Sequence, residues 1–243
     1  MNDSNPTPIF IVGMPRSGSS LFEQMLGLHS KIMPLGEVNW VHETYVKLQK
    51  SLGDSASVSE LYELCLQRES HEKLRKTYFA NLRKDISEPV VVDKLVGNIA
   101  YLHAIRAAFP DALVVFMTRD RNATIWSCFK SPFISGHRYS ERIEECSAYY
   151  DSTEKLMHHW AVHYGDRLIT VAYEDLVDNP EREIRRILEK AGLKFEPVCL
   201  SPESANRIVK TASRHQVAQP IYRDANRGWL PYAGFVEQEV EKS

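Results

Sequence analysis

Near its amino terminus, the chain passes from a short apolar run through a glycine-bounded loop into a helical pattern. The run Pro8-Ile-Phe-Ile-Val-Gly13 is continuous, apolar and ended by glycine, as is typical of a buried strand. Leu21, Met25 and Leu28 then recur at helical spacing. The loop between them reads Gly13-Met-Pro-Arg-Ser-Gly-Ser-Ser20. We refer to residues 13–20 as the phosphate loop, because a loop that leads from a strand into a helix amino terminus is where phosphate groups commonly bind.

The rest of the sequence alternates strand patterns with helix patterns. Strands are predicted at 8–13, 89–93, 112–118 and 167–172. Helices are predicted at 19–28, 98–109, 122–129, 140–164 and from 180 to the residues before Gly192. The alternation predicts a three-layer, P-loop-like α/β fold, in which helices flank a central, mostly parallel sheet. We expect one domain over residues 1–243, with a helical insertion at 55–86 and a polar tail at 233–243.

Composition and charge exclude several classes of protein. Apolar residues make up 43% of the 243 residues, which excludes a disordered chain. The formal net charge is −2, so we expect no nucleic-acid partner. No apolar run reaches the roughly 20 residues of a membrane span, and the first residues carry no basic leader. The four cysteines are scattered without a C-x-x-C pair, which favours reduced thiols, a cytoplasmic location and no bound metal.

The loop between the first strand and the first helix stands where a phosphate-binding loop belongs. Backbone N–H groups and the positive end of the helix converge on an anion at such a position. The two glycines have the G-x-x-x-x-G spacing of a nucleoside triphosphate loop, but Ser19 follows where that loop has lysine. The cation lies inside the loop instead, as Arg16. The sequence therefore favours a ligand with fewer charges at its transferred end than a triphosphate.

Two motifs together resemble those of a known family. Pro15-Arg-Ser-Gly-Ser-Ser-Leu21 resembles the 5′-phosphosulfate loop of sulfotransferases, which use 3′-phosphoadenosine-5′-phosphosulfate (PAPS). Arg119 and Ser127, eight residues apart after the third strand, resemble the pair that binds the 3′-phosphate in that family. Further similar segments lie at 93–110, 156–160, 173–177 and 211–222. The chain is most similar to bacterial-type sulfotransferases sometimes fused to tetratricopeptide repeats, which are related to protein-tyrosine sulfotransferases.

The resemblance implies a reaction and a set of residues that perform it. It implies PAPS as donor, adenosine 3′,5′-bisphosphate (PAP) as product and no metal. The residues it implies in catalysis are Glu37 as general base, Lys94 bridging the sulfuryl and leaving oxygens, and Arg16 stabilising the leaving phosphate. The residues it implies in donor binding are Arg16, Ser17, Gly18, Ser19, Ser20, Arg119, Ser127, Tyr173, which we expect at the end of the fourth strand, and Ser213.

One departure from the family pattern concerns the lid over the 3′-phosphate. Related sequences often carry a basic residue directly before the late tryptophan, whereas Gly228 precedes Trp229 here. Arg227 lies one position earlier. We expect Arg227 to reach the phosphate from its loop, with Arg223 as the alternative.

The acceptor class and two other functions stay open at this point. A peptidyl tyrosine, a phenol, an alcohol, a sugar and a lipid hydroxyl are all compatible with the sequence. Residues 131–139 are predicted to form a lid or an acceptor wall. A P-loop kinase would use Asp93 as its magnesium-holding acid, and a non-catalytic binder would keep only the nucleotide site.

Overall fold

A five-stranded, wholly parallel sheet forms the centre of the molecule. The computed structural model describes residues 5–53, 57–82, 86–131, 133, 136–204 and 226–241. The strands are β1 Thr7–Gly13, β2 Ile32–Gly36, β3 Val90–Asp93, β4 Leu113–Thr118 and β5 Leu168–Ala172. Their order is β2-β3-β1-β4-β5, so the winding direction reverses at β1. In sheets of this kind ligands bind outside the carboxyl ends of the strands at that reversal.

Helices cover both faces of the sheet. They are α1 Ser19–Leu26, α2 Trp40–Leu52, α3 Val58–Leu66, α4 Arg68–Ala80, α5 Leu102–Ala108, α6 Arg121–Phe129, α7 Ile143–Tyr164, α8 Tyr173–Asp178, α9 Pro180–Lys190 and α10 Ala233–Val240. Side chains of β1 alternate between two cores. Phe10 and Val12 pack with α4 and α5, whereas Ile9 and Ile11 pack with α1 and α9. Both faces of the sheet are therefore buried, which explains why its strands are continuously apolar.

The predicted fold class and the four predicted strands are confirmed. The helical insertion at 55–86 contains α3 and α4. None of the helices within the described ranges is both long and apolar enough to cross a bilayer.

Three segments differ from the sequence-based expectation. β2 was not predicted, because Pro34 removes a backbone donor and only Ile32 of its five residues is fully buried. Tyr173 was expected to end the fourth strand, but it begins α8, since β5 ends at Ala172. The segment 233–243, expected to be a polar tail, contains α10, whose Val236 is fully buried.

Candidate functional site

The phosphate loop has a backbone shape that excludes larger side chains at its two glycines. A Cβ at Gly13 would lie 2.6 Å from the Met117 carbonyl oxygen, and a Cβ at Gly18 would lie 2.5 Å from the Tyr173 ring. Gly18 has φ +92° and Arg16 has φ +68°, the latter in a left-handed region that residues other than glycine seldom adopt. Strain of this kind is typical of functional loops.

The same loop places buried hydroxyl groups at the start of α1. Ser17, Ser19 and Ser20 are buried. The hydroxyl of Ser17 has no hydrogen-bond partner among the described residues. In the described loop and first turn, no side chain caps α1 and no acidic residue stands there. A buried hydroxyl without a partner beside an uncapped helix amino terminus fits the binding of an anion.

The two arginine motifs, about 100 residues apart in sequence, meet at this loop. Nε of Arg16 donates to Oγ of Ser127, on α6, at 3.0 Å. A terminal nitrogen of Arg119 donates to the Arg16 carbonyl at 2.9 Å. The Arg119 guanidinium also lies 4.9 Å from the centre of the Tyr173 ring. The residues predicted for the 5′-phosphosulfate and for the 3′-phosphate therefore form one cluster at the carboxyl edge of the sheet.

The carboxyl-terminal segment contacts this cluster through a residue that sequence reasoning missed. Nε of Arg119 donates to Oδ1 of Asn226 at 2.7 Å, and the Asn226 amide donates to Glu174. Glu174 also accepts the Asp120 N–H, at 2.9 Å. Asn226 directly precedes the exposed Arg227, so the predicted lid residue is adjacent in sequence to a residue that contacts the site. Ser213 and Arg223 lie outside the described residues.

Glu37 and Lys94 form an ion pair at the ends of neighbouring strands. The two charged atoms are 2.5 Å apart. The Lys94 side chain is 1% exposed and that of Glu37 is 44% exposed. A buried ammonium group is costly unless a counter-charge meets it, and Glu37 supplies that charge. The pair thus places one buried cation and one solvent-accessible carboxylate at the carboxyl ends of β3 and β2, on the edge of the sheet where the phosphate loop follows β1.

Asp93, directly before Lys94, faces the interior instead. It is fully buried, accepts the Tyr78 hydroxyl at 3.2 Å and accepts the Asn98 amide at 3.2 Å. Burial raises the pKa of Asp93 well above its ordinary value. A fully enclosed carboxyl whose ionisation is disfavoured by burial is a poor magnesium ligand, which weakens the kinase alternative. Within the described ranges, no group of three or more His, Cys, Asp and Glu side chains is arranged to hold a metal.

Residues of a second loop lie near Glu37. The His137 ring packs on Phe133 at 4.3 Å between ring centres, and its Nδ1 shares a hydrogen bond of 2.9 Å with the Tyr139 hydroxyl. Partial burial lowers the pKa of His137, and the nearby Glu37 carboxylate acts in the opposite direction. Sequence reasoning singled out the loop but missed His137, because a lone histidine in a loop carries no motif.

Two buried thiols on helices donate hydrogen bonds to backbone carbonyls of the phosphate loop and of the second loop. Cys128, on α6, donates to the Pro15 carbonyl at 3.3 Å, and Cys146, on α7, donates to the Tyr139 carbonyl at 3.3 Å. Burial raises the pKa of each thiol to about 12. These cysteines are therefore packing residues that stay protonated.

Comparison with known proteins identifies a family and relatives that are similar to this chain. A family model described as "Sulfotransferase family" matches residues 8–197. An uncharacterized protein of Aquifex aeolicus is 30% identical over 242 residues, which are 96% of this chain and 32% of that protein. A protein-tyrosine sulfotransferase of Drosophila melanogaster is 26% identical over 234 residues, which are 91% of this chain and 46% of that protein. The chain thus spans less than half the length of either relative.

Solved structures share the fold. The sulfotransferase domain of the Synechococcus PCC 7002 olefin synthase superimposes with a TM-score of 0.68 at 22% identity, covering 98% of this chain and 96% of that one. A mouse sulfotransferase complexed with PAP superimposes with a TM-score of 0.55 at 15% identity, covering 99% of this chain and 87% of that one. At these identities the likeness concerns the arrangement of strands and helices.

Proposed function

The chain belongs to the sulfotransferase family, and from this premise we propose that it transfers a sulfuryl group from PAPS to a hydroxyl acceptor. The observation that carries the proposal is the ion pair of Lys94 with Glu37, at the same carboxyl edge of the sheet as the phosphate loop. Sulfuryl transfer needs a base for the acceptor proton and positive charge near the leaving oxygen. The pair supplies one of each at the same edge of the sheet.

The residues present fit the donor. The partnerless Ser17 hydroxyl and the uncapped start of α1 suit its phosphosulfate. Arg16, hydrogen-bonded to Ser127, adds a cation inside the loop. Arg119 directly follows β4 and lies against the Tyr173 ring, and we assign it to the 3′-phosphate. Arg227 is assigned to the lid over that phosphate, because it follows Asn226, which already contacts Arg119.

The chain's own groups divide the chemistry between them. Bound PAPS supplies the sulfuryl group and a phosphate that leaves with the bridging oxygen. Glu37 takes the proton from the acceptor hydroxyl, whose oxygen forms the new bond to sulfur. Lys94 and Arg16 stabilise the negative charge that develops as the old sulfur–oxygen bond breaks. Contacts of this kind typically lower a barrier by about 2–4 kcal/mol each.

The acceptor approaches Glu37 from the side of Phe133, His137 and Tyr139. On that side the His137 ring packs against both Phe133 and Tyr139. Flat apolar walls with a few polar atoms favour a ring over a flexible alcohol or sugar. We therefore assign an aromatic hydroxyl as acceptor, a class that includes phenols and peptidyl tyrosine. The name of the Drosophila relative, a protein-tyrosine sulfotransferase, supports this class.

The nucleotide is tested first by thermal shift. PAP is expected to raise the melting temperature in the absence of any metal, because it binds only the folded state. ATP with magnesium is expected to give a much smaller shift, since Ser19 stands where a triphosphate loop has lysine. A large shift with ATP and magnesium and none with PAP would replace the proposal by the kinase alternative.

The chemistry is tested with Glu37→Gln and labelled PAPS, against a panel of phenols, tyrosine peptides, alcohols and sugars. The variant is expected to bind PAP as the wild type does and to transfer about 10²–10⁴-fold more slowly. Glu43→Gln, at an exposed carboxylate on α2, is the matched control and should transfer normally. Equal rates for Glu37→Gln and the wild type would exclude Glu37 as the base. PAP binding without transfer to any acceptor would indicate a non-catalytic binder.

A further inference from the structure

The chain that carries Glu37 leaves the sheet through a bulge. Pro34 of β2 stands opposite Val92, but Gly36 stands opposite Asp93, so Leu35 is an extra residue in the pairing of β2 with β3. Gly36 has φ +76°, which favours glycine. A bulge bends its strand and re-aims the residues that follow, and such bulges are frequent beside active sites. Here it directs the chain so that Glu37 meets Lys94.

A buried carboxylate on another element holds the end of this bulge. Oε1 of Glu23 accepts the Gly36 N–H at 2.7 Å. Glu23 lies on α1 and is 7% exposed, although glutamate is seldom buried without a specific partner. The Gly36 carbonyl in turn accepts the Lys94 N–H at 3.0 Å. Both backbone groups of Gly36 are therefore fixed, one by α1 and the other by Lys94.

The element that carries Glu23 is the helix that begins at the phosphate loop. Glu23 stands one turn beyond Ser19 and Ser20, which the resemblance to sulfotransferases implies in donor binding. A rigid helix thus connects the donor loop to the turn that presents the carboxylate. Since a displacement of about 1 Å can cost about 100-fold in rate, such a connection bears directly on catalysis.

We propose that Glu23 is a positioning residue, which fixes Glu37 relative to the donor loop by holding the Gly36 amide. The inference rests on the proposed function, because only there does Glu37 act as the base. Glu23 itself touches neither the donor nor the acceptor in this scheme. Its effect on transfer passes through Gly36.

The structural half of the proposal is tested by amide hydrogen exchange at Gly36, which needs no acceptor. Glu23→Leu removes the accepting oxygen, and Glu23→Asp keeps the charge but shortens the reach by one methylene. Both are expected to lose about tenfold or more of the protection at Gly36. Glu23→Gln keeps an oxygen at the same reach and should retain the protection. Gln24→Ala, which removes a neighbouring α1 side chain bonded to the Pro202 carbonyl, is the control for general loosening of the helix.

The functional half is tested by the rate of transfer at saturating PAPS, together with PAP affinity. Glu23→Asp is expected to bind PAP normally and to transfer about tenfold or more slowly, while Glu23→Gln restores the rate. A merely structural role would lower PAP affinity and transfer together and would not be rescued by glutamine. Unchanged Gly36 protection in Glu23→Asp, or unchanged transfer despite lost protection, overturns the proposal. If the wild type transfers to no acceptor, the proposed function fails, but the exchange result still decides whether Glu23 holds Gly36.

Discussion

At the scale of single residues, the phosphate loop is determined by backbone shape as much as by charge. Gly18 combines φ +92° with a Cβ position 2.5 Å from the Tyr173 ring. The ring cannot move away easily, because the Arg119 guanidinium lies against it. Gly18 therefore provides both the turn into α1 and the space for Tyr173.

Replacing Gly18 by alanine should damage the loop through sterics alone. We expect Gly18→Ala to lower the free energy of unfolding by about 1–3 kcal/mol, from backbone strain and the clash with Tyr173. The melting-temperature shift given by PAP should shrink with it. Urea unfolding and thermal shift measure the two effects. Gly234→Ala is the control, because that glycine is helical and has open space around it. An unchanged free energy of unfolding for Gly18→Ala would contradict this explanation of the loop.

The residues that sequence reasoning found are those that motifs place in register. Arg16 to Ser20 are contiguous, and Arg119 and Ser127 keep a fixed spacing across a strand end and a helix. Glu23, His137 and Asn226 were missed for a physical reason. Glu23 and Asn226 gain their meaning from hydrogen bonds with Gly36 and Arg119, and His137 gains its meaning from lying near the charge of Glu37. Such contacts leave no local pattern in the chain.

At the scale of elements, the hydrophobic periodicity of the sequence predicted the buried central strands and missed two elements at the periphery. Central strands β1, β3 and β4 are apolar on both faces and were predicted within one residue of their ends. The edge strand β2 contains Pro34 and is only partly covered, so its pattern is weak. Helix α10 was taken for a tail, because one buried residue, Val236, gives no helical pattern.

The burial of Val236 allows a test of whether α10 supports the phosphate loop. Val236 packs in one cluster with Met14 of the phosphate loop, and also with Ile125 and Ile143. We expect Val236→Asp to lower the free energy of unfolding by about 2–4 kcal/mol, because it buries a charge without a partner. It should also weaken PAP binding, since Met14 loses its neighbour.

The matched control stands one position earlier on the same helix. Phe235 is 49% exposed, so Phe235→Asp adds the same charge at the surface and should change little. Urea unfolding and PAP titration measure both variants. Equal effects of the two substitutions would show that α10 does not support the loop through Val236.

At the scale of the whole molecule, the strand order decides which groups meet. Because the winding reverses at β1, the ends of β3 and β4 lie on either side of the phosphate loop. Lys94 and Arg119 follow those two ends. The alternation of strands and helices was enough to predict a parallel sheet. The order of the strands was not predictable in this way, since it depends on which helix crosses which face.

The fully buried Asp93, at the end of β3, should make the stability of the whole molecule depend on pH. The folded state raises the pKa of Asp93 above the ordinary value of 3.8, mainly through burial and with a contribution from Glu23. Between 3.8 and the raised pKa, the folded state holds a proton that the unfolded state has released. The free energy of unfolding therefore falls as pH rises through this window. Below the window both states hold the proton, and Asp93 then does not lower the stability.

Asp93→Asn should remove that cost, because asparagine is a neutral isostere of the protonated acid. Its oxygen can accept from Asn98 and its NH₂ can donate to the Tyr78 hydroxyl, so both contacts survive. We expect the stability of the variant relative to the wild type to be lowest near pH 4 and to increase toward neutral pH. Urea unfolding across that range measures the difference, with Asp111→Asn, an exposed carboxyl, as the control. A stability difference that stays constant with pH, or that shrinks as pH rises, would mean that Asp93 is ionised in the folded protein. Asp93 would then be a second negative charge beside Lys94, in addition to Glu37.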